Sequence, residues 1–245
     1  MKRVAILQAR MGSTRLPGKI LKPILGKPML AYQLERVQRC HNIDQLIVAS
    51  TINPADNPLA SFCEALAIPL YRGSEQDVLD RYHNAAIQTA ADVIIRLTGD
   101  CPLIDPGVVD AVIELYQNAQ PAADYVSNTL ERTFPRGLDV EVFSSIALET
   151  AHKRALESHE REHVTPYIYR HPERFELRQY RQTQDYNRLR WTVDTPEDFE
   201  LIEKVITALY PSSPAFSQAD VLDLLDKNPT WASINAHVEQ VKVPE

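Results

Sequence analysis

The sequence is poor in the residues that several function classes require. Only seven glycines occur in 245 residues, and they form neither a GxGxxG fingerprint nor a Walker A string. The three cysteines, Cys40, Cys63 and Cys101, are odd in number and widely spaced. They make no disulfide framework and no CxxC metal site, so a reducing cytoplasmic setting is expected. Aromatic residues amount to 7%, too few for a stacking platform that binds single strands. Trp191 and Trp231 are expected as packing residues. No apolar run approaches about 18 residues, so no membrane-spanning helix is expected. Met1-Lys2-Arg3 leads only into the six-residue stretch Val4–Ala9, which does not read as a secretory signal.

Charge of one sign is also missing locally. The chain carries 26 Lys+Arg against 33 Asp+Glu, a formal net charge of −7. Residues 1–34 nevertheless contain seven bases and no acid, leaving 19 bases and 33 acids in the other 211 residues. An acidic chain lacks the basic face that nucleic acid needs, so no nucleic-acid partner is expected. A basic cluster inside an acidic protein suits a small polyanion. Gly12, Gly18 and Gly26 fall in the same stretch.

With 44% hydrophobic residues, the chain can bury a sizeable core. The apolar run Val4–Leu7 ends at a Gly/Ser/Pro loop and reads as a buried strand. Further strands are expected at Leu46–Ala49, Ile68–Tyr71 and Val93–Leu97. Helices are expected from Pro28 through Leu30, Leu34 and Val37, near 57–67, over 75–91, and from Pro106 to Asn118. This alternation predicts an α/β fold with a mostly parallel sheet and helices on both faces. Beyond residue 120, strands are expected at 123–127, 138–143, 174–181 and 188–193. Helices are expected near 145–157, 160–170, 196–210 and 217–227. No linker or repeat divides the chain. Residues 1–245 read as one domain, with 128–185 as a substrate-covering or dimer-forming insertion.

Three stretches could carry chemistry. The loop Gln8-Ala9-Arg10-Met11-Gly12-Ser13-Thr14-Arg15-Leu16-Pro17-Gly18-Lys19 follows the first strand, where open parallel sheets bind ligands. Its glycines allow close backbone approach, and Arg10, Arg15 and Lys19 supply charge for phosphates. Three crowded cations without an acid imply either a solvated basic loop or an arriving anion. The turn Thr98-Gly99-Asp100 places one carboxylate past a buried strand, a position suited to Mg²⁺ with substrate phosphate or simply to a turn. In Val193-Asp194-Thr195-Pro196-Glu197-Asp198, Thr195 reads as an N-cap and Pro196 as the first helical residue. Asp194 is then either part of the cap or a second carboxylate aimed at Asp100.

Together these strings resemble the signature set of the cytidylyltransferase family, which includes the CMP-KDO and CMP-acylneuraminate synthetases. Glu162-His163-Val164-Thr165-Pro166-Tyr167-Ile168 resembles the spore-coat polysaccharide biosynthesis protein F type within it. The resemblance covers nearly the whole chain. It implies a Rossmann-like nucleotidyltransferase that moves CMP from CTP to a sugar or sugar acid in surface glycan synthesis. It places Gln8, Ala9, Arg10, Met11, Gly12, Ser13, Arg15, Lys19, Ser74, Arg81, Thr98 and Gly99 around the nucleotide. Asp100 and Asp194 fall on the carboxylates that hold Mg²⁺, with Arg10, Lys19 and Asp100 as the catalytic set. Thr98 stands where the synthetases commonly have Gln, and the stretch around Gly73-Ser74 lacks their full pattern. A sugar-1-phosphate nucleotidyltransferase using another triphosphate is therefore the nearest alternative. A glycosyltransferase is less favoured, because no D-x-D string occurs.

For the acceptor, the expected residues are Arg136, Asp139, Glu141, Glu162 and His163. Asp139 and Glu141 are read as sharing one face of a strand after a glycine turn, where they could bond sugar hydroxyls. His159-Glu160-Arg161-Glu162-His163 matches the zinc string H-E-x-x-H. A third ligand is wanting and Pro166 cuts the helix short, so a charged helix start or substrate contact fits better. Phe134, Phe143, Tyr167, Tyr169 and Phe175 are expected either to form a homodimer interface, as the resemblance implies, or to cover the monomer's own core.

Overall fold

The computed structural model describes residues 1–240. In chain order the strands are β1 (Arg3–Gln8), the short pair β2 (Pro23–Ile24) and β3 (Lys27–Pro28), β4 (Gln45–Thr51), β5 (Leu70–Gly73), β6 (Val93–Thr98), β7 (Tyr125–Ser127), β8 (Glu141–Ser144) and β9 (Leu177–Gln179). The helices are α1 (Met29–Val37), α2 (Asn57–Ala65), α3 (Val78–Thr89), α4 (Pro106–Asn118), α5 (Ser145–Arg154), α6 (Ser158–His163), α7 (Pro166–Tyr169), α8 (Pro196–Leu209), α9 (Gln218–Lys227) and α10 (Pro229–Ala232). No described helix is long and apolar enough to cross a membrane.

Seven strands form one sheet in the order β5-β4-β1-β6-β8-β7-β9. Only β8 runs against its neighbours. The continuous apolar strands follow from burial on both faces, because alternate side chains enter two separate cores. Ala5, Leu7, Val48, Ile95 and Leu97 pack with α1, α2, α4, α8 and α9 on one face. Val4, Ile6, Ile47, Ala49 and Ile94 pack with α3, α5 and α7 on the other. The expected α/β class with a mostly parallel, helix-covered sheet is the fold observed.

The helix starts follow from local chemistry. The Asp105 carboxylate accepts from the Gly107 and Val108 amides, with Pro106 at the first helical position of α4. Thr195 and Asp198 form a reciprocal capping box at α8.

Several sequence expectations are corrected. Residues 188–193 form no strand. Their backbone is divided between two loops: Arg136 N donates to Leu189 O, Trp191 N to Arg136 O, and Val193 N to Asp100 O. The strand expected from 138 begins only at Glu141, because the Asn128 side chain takes both Leu138 O and Val140 N in place of a ladder partner. The helix expected over 160–170 is broken into α6 and α7 at Val164, whose φ is 73°. Residues 128–185 supply β8, β9 and α5–α7, and β8 pairs directly with β6 in the central sheet. The aromatics offered for a dimer interface are spent elsewhere. Phe134, Phe143, Tyr167 and Phe175 are buried in the chain's own cores, and Tyr169 packs against one of them. This is the second of the two expectations, cover for the monomer's own core, with Tyr169 alone only partly buried.

Gly137 decides how the 128–140 segment meets the 190–193 segment. Its φ is 103°, and a Cβ there would lie 2.6 Å from the Trp191 carbonyl carbon and 2.7 Å from Thr192 N. Both the conformation and the space exclude a side chain. Gly137→Ala is expected to destabilise the fold by about 2–4 kcal/mol, measured as a lowered denaturant midpoint. An unchanged midpoint would show that the two segments part without cost.

Candidate active site

The consecutive strands β1, β4 and β5 step outward in one direction, whereas β6 lies on the other side of β1. The strand order therefore reverses between β1 and β6, and the crevice beyond their carboxyl ends is where open α/β sheets bind ligands. Gln8 and Thr98 end the two strands side by side. There a cavity of about 790 Å³ is lined by the loop from Gln8 to Ile20, Glu75-Gln76, Arg81, the Thr98–Asp100 turn, Glu162-His163 and Asp194. Gly99 is forced by the close approach of the strand ends. A Cβ would lie 2.9 Å from that of Ala9 and 3.0 Å from Gln8 O.

Lys19 is the centre of this site. Its side chain is 11% exposed, and its Nζ lies 2.6 Å from Val193 O, 2.9 Å from Asp194 Oδ1 and 3.6 Å from Asp100 Oδ2. The two carboxylate oxygens are therefore at most about 6.5 Å apart. Asp194 Oδ2 meets Arg190 at 2.8 Å and Arg15 at 3.2 Å. Burial by itself would raise the Asp194 carboxyl, but Lys19, Arg15 and Arg190 together hold it below the ordinary carboxylate value. Capping falls to Thr195 and Asp198, so the Asp194 side chain faces the crevice.

The basic loop is not left to repel itself. Arg10 lies 3.6 Å from Glu75, while Arg15 and Lys19 share Asp194. Its acids come from later segments of the chain. Three partners were not read from the sequence. The buried Asp56 carboxylate accepts from Met11 N at 2.6 Å and from the Thr51 hydroxyl, anchoring the start of the loop. Glu75 is fixed by Asn53 at 2.9 Å. Arg190 joins Asp194 to Asp198. Asp56 and Glu75 lie 45 and 65 residues from the loop residues they meet, so no local pattern announces them, whereas Arg190 lies only four and eight residues before its two carboxylates.

Of the expected nucleotide residues, Gln8, Ala9, Arg10, Gly12, Ser13, Arg15, Lys19, Arg81, Thr98 and Gly99 line the cavity. Met11 and Ser74 do not; the Met11 amide is bound to Asp56, and Ser74 Oγ accepts from Asp77 N at the start of α3. Arg81 is buried, donates to Ser74 O at 2.7 Å, and keeps its Nε unpartnered.

The expected acceptor group separates. Glu162 and His163 line the cavity, and burial holds the His163 imidazole below its ordinary value. Glu141 is instead buried, accepts from Arg96, Tyr125 and Thr165, and does not line the cavity. Asp139 lies before β8, not on a strand face with Glu141, and forms a two-pronged pair with Arg132. Arg136 sits beside the same pair, outside the cavity lining. In the H-E-x-x-H segment, Glu160 caps α6 and His159 bonds to Arg170. Among the described residues, no three His, Cys, Asp or Glu side chains are grouped to hold a metal.

The family model for cytidylyltransferases matches residues 4–225. The chain belongs to the cytidylyltransferase family. It is a nucleotidyltransferase by that membership. A cytidylyltransferase from Leptospira borgpetersenii superposes with a TM-score of 0.90 at 34% identity, covering 99% of both chains. The spore coat polysaccharide biosynthesis protein SpsF of Bacillus subtilis is 34% identical over 93% of this chain and 95% of its own. The structure of CMP:2-keto-3-deoxy-manno-octonic acid synthetase complexed with CTP shares the fold, with a TM-score of 0.67 at 20% identity over 85% of this chain and 99% of that one.

In this cytidylyltransferase the carboxylate site rests on Asp198. It is fully buried and accepts from Arg190, Asn235 and the Asp194 and Thr195 amides. Burial would raise its carboxyl, yet the bonds from Arg190 and Asn235 hold it below the ordinary value. A depressed folded value contributes stability that is complete above the unfolded value near pH 4 and is lost as pH falls through the folded one. Asp198→Asn should therefore cost roughly 3 kcal/mol at pH 7, since Arg190 loses its buried counter-charge. The gap from wild type should narrow below about pH 4. A gap that stays constant down to pH 2.5 would show that the pair does not carry the difference.

Proposed function

We propose that this cytidylyltransferase transfers CMP from CTP to a sugar or sugar acid, releasing pyrophosphate, in the synthesis of a surface polysaccharide. The observation that carries the reading is the cavity at the β1/β6 reversal, where Lys19 and Arg15 meet Asp100 and Asp194 and Arg10 lies beside Glu75. Cations suited to a triphosphate and carboxylates suited to a divalent metal share one wall. The names of the relatives, a spore-coat polysaccharide protein and a synthetase holding CTP, support the donor and the pathway class.

The acceptor oxygen attacks the α-phosphorus in line. The bond from that phosphorus to the bridging oxygen breaks, and pyrophosphate leaves with the electron pair. Such transfer requires positioning and charge neutralisation more than covalent help from the protein. Lys19, Arg10 and Arg15 take up charge on the phosphate oxygens. Arg81 lines the same cavity, with its Nε buried and unpartnered. Glu162 and His163, in the lining of the same cavity, are the groups offered to the acceptor. Magnesium fits the donor set, because Mg²⁺ takes one or two carboxylates together with substrate phosphates. Bound at Asp100 and Asp194, it would supply further neutralisation of the phosphate oxygens.

Pyrophosphate release from CTP, ATP, GTP and UTP against a panel of sugar acids and sugar phosphates tests the reading. Turnover is expected with CTP, to be abolished by chelation and restored by Mg²⁺. Turnover confined to GTP or UTP with sugar 1-phosphates would overturn it. Arg10→Ala, a half-exposed residue, should lower kcat/KM by about 10²-fold without moving the thermal midpoint. Lys19→Ala should lower both, because it strips Asp194 of a buried partner. A wild-type midpoint in Lys19→Ala would show that the buried pair adds nothing to folding.

A further inference from the structure

Resting on the metal reading above, a second role for Lys19 follows from the charges around it. Its ammonium lies between Asp100 and Asp194, within 3.6 Å of a carboxylate oxygen on each, and also donates to Val193 O. Asp194 Oδ2 is held by Arg15 and Arg190, and Arg190 is shared with Asp198. Three cations (Arg15, Lys19, Arg190) thus face three carboxylates (Asp100, Asp194, Asp198). The cluster is charge-balanced before any ligand arrives. A divalent cation entering alone would meet a buried ammonium on the carboxylate edges it needs, and close like charges in a part-buried site repel strongly. A nucleoside triphosphate changes this balance, because its phosphates give the ammonium a new anionic partner and free the carboxylate edges.

We infer that Lys19 is an internal counter-ion that makes divalent-cation binding at Asp100 and Asp194 depend on the nucleotide. In its absence the lysine keeps the two carboxylates assembled and closed to a metal. With triphosphate bound, the same lysine moves its charge to the phosphates, and metal and nucleotide bind as a coupled pair. Because such coupling is reciprocal, the metal must strengthen nucleotide binding by the same factor.

The test is Mn²⁺ binding, read by the loss of free-ion EPR signal beyond that of a protein-free Mn²⁺–CTP control, for wild type and Lys19→Met, each with and without CTP. Wild type should bind Mn²⁺ weakly alone and at least about tenfold more tightly with CTP, within the usual range of coupling between sites. Lys19→Met should bind Mn²⁺ alone at least about tenfold more tightly than wild type, with the CTP effect much reduced. Adding Asp100→Asn to Lys19→Met should abolish the gain. Circular dichroism checks the fold, and Lys19→Gln, which keeps a donor for Val193 O without the charge, replaces the methionine variant if that one unfolds. Equal or weaker Mn²⁺ binding in the folded variant, with normal CTP-dependent binding in wild type, overturns the counter-ion role and leaves the metal reading standing. No Mn²⁺ binding to either protein even with CTP overturns both.

Discussion

The buried guanidinium of Arg190 organises the last piece of the site. Its Nε and Nη2 grip both oxygens of Asp198, and Nη2 also reaches Asp194 Oδ2. Asp198 in turn collects the amides of Asp194 and Thr195, and Asn235 ties Asp198 Oδ1 to the Arg190 carbonyl. One buried ion pair therefore starts α8, shapes the turn before it and aims Asp194 into the crevice. A buried pair of this kind adds little net stability over an apolar replacement. Its contribution here is geometric: it makes a single arrangement of the 190–198 segment compatible with a packed interior.

That arrangement explains why a strongly basic loop can be stable next to empty solvent. Arg10 is matched by Glu75, while Arg15 and Lys19 are matched by Asp194. The pairs hold the cations in position before any phosphate arrives, so little reorganisation is needed at the moment of reaction. Exposed pairs such as Arg10 with Glu75 are worth little in water and exchange readily for a triphosphate. Lys19 is different, because its three partners surround it in a nearly closed space. A single loop thus carries one cation built into the structure and two more loosely held.

Much of this was legible in the sequence, for definable reasons. Strands buried on both faces read as uninterrupted apolar runs, so β1, β4 and β6 stood out with their loops. Pro106 with Asp105, and Pro196 with Thr195, mark helix starts through local chemistry that needs no tertiary information. The double reading of Asp194 was resolved only by structure: Thr195 and Asp198 complete the cap and leave Asp194 to Lys19. Glu141 was misread because alternation along a strand says which face a side chain takes, not whether Arg96, Tyr125 and Thr165 already fill that face. The acids that balance the basic loop lie between 65 and 179 residues away, so no spacing pattern pairs them with it. Phe143 and Tyr167 likewise could not be sorted into core or interface, since both environments select the same side chains.

The backbone then links the two carboxylate turns more tightly than the side chains do. Val193 N donates to Asp100 O at 2.8 Å, and Thr192 Oγ1 reaches the same oxygen at 3.3 Å. Lys19 Nζ takes Val193 O from the other side, a contact between residues 174 apart in sequence. Gln33, fully buried in α1, donates to Thr98 O at 2.8 Å and so holds the turn from below. The turn after β6, the segment before α8 and the loop after β1 therefore form one hydrogen-bonded unit at the point where the strand order reverses. Moving the backbone that carries either carboxylate would require breaking bonds to a neighbouring segment. The backbones that carry the two acidic groups are thus held by bonds of the chain itself, which is the condition under which a change of ligand charge, rather than a change of fold, decides which groups pair.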